Sequence, residues 1–147
     1  MTHALTATVR LVAGDDHFDH FAAATGFGGQ APMAPAAEDG AAPTGAISPM
    51  ETLLVALGGC LGMTIAPMLR RMGQRVSRYE IQVSGELTER PPRVFERLTV
   101  EHHLVGERLD PGKVTRALEL AETRYCGVSA MLGKAAEISH RVTLEAE

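Results

Sequence analysis

The stretch Ser48-Pro-Met-Glu-Thr-Leu-Leu-Val-Ala-Leu-Gly-Gly-Cys60 constrains the fold of this chain more than any other. It opens with a helix-start signal: Ser48 as N-cap, Pro49 at the first helical position and Glu51 three residues after the cap. A serine hydroxyl there accepts from an orphan N–H, and the glutamate accepts from the cap's own N–H. The apolar residues that follow predict a mostly buried helix from Pro49 to about Met72, stopped by Gly73, with Arg70-Arg71 at the negative end of its dipole. Pro67 removes one backbone bond and predicts a kink, or a break into two helices, near Met63 to Pro67. Gly58 and Gly59 stand directly before Cys60, and glycine costs about 1 kcal/mol against alanine inside a helix. The pair therefore predicts close approach by another backbone or by a substrate beside the sulfur.

The remaining elements follow from alternation and punctuation. Residues 5–12 alternate as a strand, with Leu5, Ala7, Val9 and Leu11 expected to face inward, and Gly14-Asp15-Asp16 ends it. A second short strand over His17 to Ala22 completes a hairpin. Residues 24–47 are rich in Ala, Gly and Pro and read as a long surface loop. A third strand spans about Arg78 to Leu87, with Tyr79, Ile81 and Val83 inward. Glu89-Arg90-Pro91-Pro92-Arg93 makes a turn, and a fourth strand over Val94 to Val105 puts Leu98, Val100, His102 and Leu104 on one face. Asp110-Pro111 opens a helix whose apolar stripe is Val114, Ala117, Leu118 and Ala121. That helix closes near Arg124-Tyr125, with Cys126 at its end. A short helix covers Ser129 to about Lys134. A last strand groups Ile138, His140, Val142 and Leu144. The fold class is α+β: an N-terminal β-hairpin, a long central helix, a second hairpin, two helices and a final strand. At 147 residues, 1–147 reads as a single domain.

A net charge of −4 with no concentrated basic stretch argues against nucleic acid as a partner. The N-terminal Met-Thr-His-Ala-Leu-Thr lacks the basic-then-apolar pattern of a secretory signal. The apolar run from Ile47 to Leu69 is interrupted by proline and glutamate, reads as amphipathic, and is not expected to span a membrane. The expected location is the cytoplasm. Two cysteines in a reducing compartment are catalytic, redox-sensing or inert rather than a permanent staple.

Cys60 and Cys126 do not form a C-x-x-C pair, and no second pair completes a zinc site. They read either as two buried small hydrophobes or as a nucleophilic thiolate at Cys60 with a resolving thiol at Cys126. A thiolate needs a cation, and Cys60 lies three turns into its own helix, out of reach of that helix's N-terminal dipole. Arg10, Arg93 and Arg97 are the candidates; Arg10 is expected to point away from the core, into solvent or across an interface with a second chain. Glu51 lies nine residues before Cys60. At about 100° per residue it is half a turn out of phase over ~13.5 Å, so it caps the helix and does not meet the thiol within one chain. His17 and His20, at i and i+3 of a strand, face opposite sides and are not expected to pair on a metal. His102 and His140 read as satisfied core histidines.

The two cysteine motifs, Ser48 to Cys60 and Arg124-Tyr-Cys-Gly-Val-Ser129, together with the order of elements from about Arg10 to Leu144, resemble the OsmC/Ohr family. The resemblance is closest to its YhfA-like branch, through Pro-Met-Glu before Leu-Gly-Gly-Cys, Pro92-Arg93-Val94-Phe95 and Ile138-Ser139-His140. It implies an OsmC-like fold and an intertwined homodimer with the long helices packed together and active sites between subunits. It further implies a thiol peroxidase for small organic hydroperoxides, serving oxidative and osmotic stress defence. Cys60 would be oxidised to a sulfenic acid and Cys126 would close a disulfide. No bound cofactor is implied; an external dithiol, in the Ohr branch a lipoylated protein, regenerates the thiols. Two positions depart from the Ohr pattern. Met50 stands where that branch carries a carboxylate ten residues before the cysteine, and the N-terminal arginine signature with adjacent glycines is absent, so Arg10 is assigned by elimination. The other reading is a non-catalytic dimeric domain of the same fold, binding a small apolar ligand at the subunit interface.

Overall fold

A computed structural model describes residues 4–14, 19–34 and 45–147. Its elements run β1 (Ala7–Gly14), β2 (Asp19–Thr25), β3 (Gln30–Met33), α1 (Pro49–Arg71), β4 (Arg75–Leu87), β5 (Phe95–Glu107), α2 (Pro111–Leu120), a π-helical turn (Ala121–Tyr125), α3 (Gly127–Leu132) and β6 (Glu137–Ala146). The class is α+β, as expected. The chain divides into two compact units, Met1–Leu53 and Leu54–Glu147, with α1 beginning in the first and continuing in the second.

In the first unit β1, β2 and β3 form an antiparallel sheet in that order. The strands differ from expectation in three ways. β2 reaches three residues beyond Ala22 to Thr25. The stretch expected to be a loop contains β3, because a tight turn closed by Gly28 N–H on the Thr25 carbonyl returns the chain beside β2. Gly28 takes φ 87°, a conformation open to glycine. Leu5, Val9 and Leu11, expected inward, are exposed at 78%, 58% and 57%. Asp15, Asp16 and His17, and the Pro35, Gly40 and Pro43 of the expected loop, lie outside the described residues.

The capping box forms as expected: Ser48 N–H donates to Glu51 Oε2 at 2.9 Å and Glu51 N–H to Ser48 Oγ at 3.2 Å. The Ser48 N–H, and after it the Ser48 hydroxyl, hold the Glu51 carboxyl below its ordinary value. α1 then continues through Pro67 as one helix rather than two. It ends at Gly73, whose φ of 76° lets Gln74 N–H return to the Leu69 carbonyl. By length and composition α1 is one helix apolar enough to cross a membrane, yet Leu57, Leu61, Ile65 and Leu69 form a buried stripe along it.

The second unit is a three-stranded sheet in the order β4-β5-β6, antiparallel between β4 and β5 and parallel between β5 and β6. A parallel neighbour needs a crossover, which α2, the π-turn and α3 supply. The inner face carries Leu98, Val100 and Leu104, fully buried, with Val114, Ala117 and Ala121 of the crossover. α1 approaches this face through its glycines. A Cβ on Gly58 would stand 3.1 Å from Val83 Cγ2, and one on Gly62 would stand 3.0 Å from Ile81 Cδ1, while one on Gly59 would meet nothing within 4 Å. The neighbour of the Gly-Gly pair is thus a side-chain layer of β4, not another backbone, and it engages only the first glycine.

Candidate active site

Cys60 is carried by the middle of α1, partly exposed, and Cys126 by the junction between the π-turn and α3, buried at 2%. The π-turn sets this junction: Cys126 N–H donates to the Ala121 carbonyl at 2.7 Å, a five-residue spacing, and the backbone then turns extended at Cys126. Cys126 also caps α3, its Sγ accepting from Ser129 N–H at 3.3 Å. The Ser129 hydroxyl is buried and has no hydrogen-bond partner among the described residues.

The Cys126 thiol is near enough to bear on the ionisation of Cys60. Burial pushes the Cys60 thiol above its ordinary value of 9.0, and the neighbouring Cys126 thiol pushes it further the same way. The N–H groups of Val128 and Gly127, at the start of α3, pull in the opposite direction without prevailing. Within its own unit the environment therefore keeps Cys60 protonated, and no cation offsets this.

Arg10 belongs to the first unit, on β1 opposite Ala22, with its side chain exposed. Arg93 donates to the Thr88 carbonyl in the β4–β5 turn and Arg97 pairs with Glu86, so both are engaged by neighbours on their own hairpin. Met63, Met68, Met72, Leu120 and Tyr125 line a trough of about 440 Å³ along α1. Thr64 and Arg71 also line it, and neither cysteine does; Met63 stands one turn beyond Cys60, and Tyr125 directly precedes Cys126. Among the described residues no group of three or more His, Cys, Asp or Glu could hold a metal ion.

Sequence reading missed one feature of this unit. The Tyr79 hydroxyl lies 2.7 Å from His102 Nδ1, His102 Nε2 lies 3.0 Å from His140 Nδ1, and His140 Nε2 lies 3.4 Å from Glu122 Oε2. His102 lies in the core, as expected, with its ring stacked on that of His140 at 5.2 Å; His140 is instead half-buried, and its Nε2 has no hydrogen-bond partner among the described residues. Their connection to each other, and onward to the π-turn, needs the register of three strands, which alternation does not supply.

A family model described as OsmC-like protein matches residues 40–141. Protein YhfA of Escherichia coli K12 is 35% identical over 102 residues, covering 69% of this chain and 76% of that protein. The OsmC like protein from Mycoplasma pneumoniae has the same fold with a TM-score of 0.79 at 16% identity, over 99% of both chains. The organic hydroperoxide resistance protein OhrB of Bacillus subtilis has it with a TM-score of 0.64 at 17% identity, over 94% of this chain and 98% of that one. These structural likenesses speak for the fold; the family model and the YhfA match, each spanning more than half of the sequence, speak for descent. The chain belongs to the OsmC-like protein family.

Proposed function

We propose that this protein is a cytoplasmic thiol peroxidase that reduces organic hydroperoxides, working as a homodimer. The observation that carries the reading is that the Cys126 thiol bears on the ionisation of Cys60, on a helix that also lends Met63, Met68 and Met72 to a trough. In the first step the Cys60 thiolate attacks the O–O bond of ROOH. An S–O bond forms, the O–O bond breaks, and RO⁻ leaves to take a proton, giving Cys60–SOH and ROH. In the second step the Cys126 sulfur displaces that hydroxyl. The S–S bond forms, the S–O bond breaks, and the hydroxyl departs with the Cys126 proton as water. An external dithiol, free or as a lipoylated protein, then reduces the disulfide. Membership in a family that includes proteins named for organic hydroperoxide resistance supports this assignment.

The first step requires an ionised Cys60, and the second unit alone raises that thiol's pKa. We assign the missing cation to Arg10. Each unit exposes apolar side chains that a second copy could cover, Leu5 and Val9 in the first and Val55, Met63 and Tyr125 in the second, which supports the dimer.

The raised Cys60 pKa also favours a second reading, a non-catalytic dimeric domain that holds a small apolar ligand. One experiment separates the two: free thiols are counted after stoichiometric oxidation with cumene hydroperoxide in wild type, Cys60→Ser and Cys126→Ser. The peroxidase loses two thiols in wild type and none in Cys60→Ser. Cys60 remaining reduced at modest peroxide excess overturns the enzyme reading.

A further inference from the structure

The inner face of the β4-β5-β6 sheet is apolar, Phe95 included, except for Tyr79, His102 and His140, one on each strand, and these three form one connected line. A polar chain in an apolar layer is costly unless its members satisfy one another, and here the order of donors follows from the partners. Burial pushes the Tyr79 phenol up, so it stays protonated and donates to His102 Nδ1. His102, 1% exposed, is neutral at pH 7 and is then left with its proton on Nε2, which donates to His140 Nδ1. His140 in turn carries its proton on Nε2, the atom facing Glu122. That last contact is 3.4 Å long and lacks the geometry of a hydrogen bond, so the line ends in a donor with one carboxylate to reach for.

Glu122 is the second residue of the π-turn, and the turn closes through Cys126 N–H on the Ala121 carbonyl. The strand that carries His140 thus faces, across that 3.4 Å contact, the segment that carries the buried thiol. We propose that His140, oriented by His102 and Tyr79, is a positioning residue that holds the π-turn through Glu122 and keeps Cys126 opposite Cys60. Its catalytic consequence rests on the peroxidase reading: the hold raises the effective concentration of the Cys126 thiol at the Cys60 sulfenic acid, and leaves the attack of Cys60 on peroxide untouched. Its structural consequence does not depend on that reading, because Cys126 is buried and its reaction with a solvent reagent reports opening of the turn.

The test has two arms. In a Cys60→Ser background Cys126 is the one thiol left in the sequence, and its labelling by an aromatic disulfide reagent is timed in native buffer. His140→Phe and Glu122→Ala are expected to speed labelling by about tenfold, equivalent to about 1.4 kcal/mol, while His140→Gln, which keeps a donor, stays near the parent rate. Equal rates in all chains, or a His140→Gln as fast as His140→Phe, overturn the proposal. Should His140→Phe fail to fold, the partly exposed Glu122→Ala decides alone. In the second arm both cysteines are present and cumene hydroperoxide is mixed rapidly with each chain. Sulfenic acid formation is expected at the wild-type rate and disulfide formation about tenfold slower. Sulfenic acid forming in wild type with unchanged disulfide rates in the variants overturns the catalytic role of the hold. Absence of sulfenic acid in every chain overturns the peroxidase reading instead, and the labelling arm then decides the hold by itself.

Discussion

Val83 Cγ2 stands 3.1 Å from the position a Cβ on Gly58 would take, on the face of α1 that meets β4. Valine is held near one χ1 rotamer, so the methyl cannot swing aside. At Gly62 the obstacle is Ile81 Cδ1 at 3.0 Å, the far end of a longer side chain that can turn away. The two substitutions should therefore differ in sign. Gly58→Ala is expected to destabilise by about 1 kcal/mol, because overpacking outweighs the gain in helix propensity. Gly62→Ala is expected to be neutral or to stabilise by up to about 1 kcal/mol. Urea midpoints at constant m-value check both.

Stability should depend on pH through His102. Burial, and then the charge of His140, push its pKa down to about 4 from 6.5. The unfolded chain takes up this proton at a pH where the folded chain does not. The stabilisation is therefore fully present above about pH 6.5 and is lost as pH falls towards 4, by up to about 3 kcal/mol. Denaturant titrations at pH 7.5, 6, 5 and 4.5 should show this slope in wild type, and His102→Gln should remove most of it. An identical slope in both proteins would assign the effect to other groups.

The assignment of Arg10 predicts a shift in the reactivity of Cys60. With Cys126 replaced by alanine, the rate of iodoacetamide alkylation reports the Cys60 thiolate alone. Removing the neighbouring thiol is expected to lower the pH of half-maximal rate, since Cys126 raises the Cys60 pKa. Adding Arg10→Met should raise that pH again by about one unit, the scale of an adjacent charge. A profile that ignores Arg10→Met withdraws that residue from the site.

Ser48 is expected to matter for the helix and not for the thiol. Ser48→Ala removes the acceptor for Glu51 N–H and should cost about 1 kcal/mol of stability. The alkylation rate of Cys60, twelve residues further along the chain, should change by less than about twofold. A large loss of thiol reactivity with unchanged stability would place the serine in the chemistry.

The sequence carried its information unevenly. The capping box at Ser48 and Glu51, the stop at Gly73 and the Asp110 cap are local, and each formed where its residues stand. Alternation put Tyr79, His102 and His140 on the sheet's inner face, but a period of two leaves register open. Whether His140 meets His102 depends on Val100 being its partner on β5, a long-range choice. The exposure of Leu5, Val9 and Leu11 shows the opposite limit, because a pattern that marks one face apolar does not name what covers it. β3 went unread because Ala, Pro and Gly dominate its neighbourhood and only its pairing with β2 makes it a strand.

The π-turn before Cys126 also bears on how this chain tolerates change in length. A five-residue hydrogen-bonded ring between Ala121 and Cys126 accommodates one residue more than an α-helical ring does. The angular position of the second sulfur is thus set by how many residues lie between the end of α2 and the start of α3. Deleting any one of them would invite α-helical continuation and swing the following side chain by about 100°. A single-residue deletion there should consequently do more harm than most substitutions, and a descendant that lost one residue would have to place its second thiol anew.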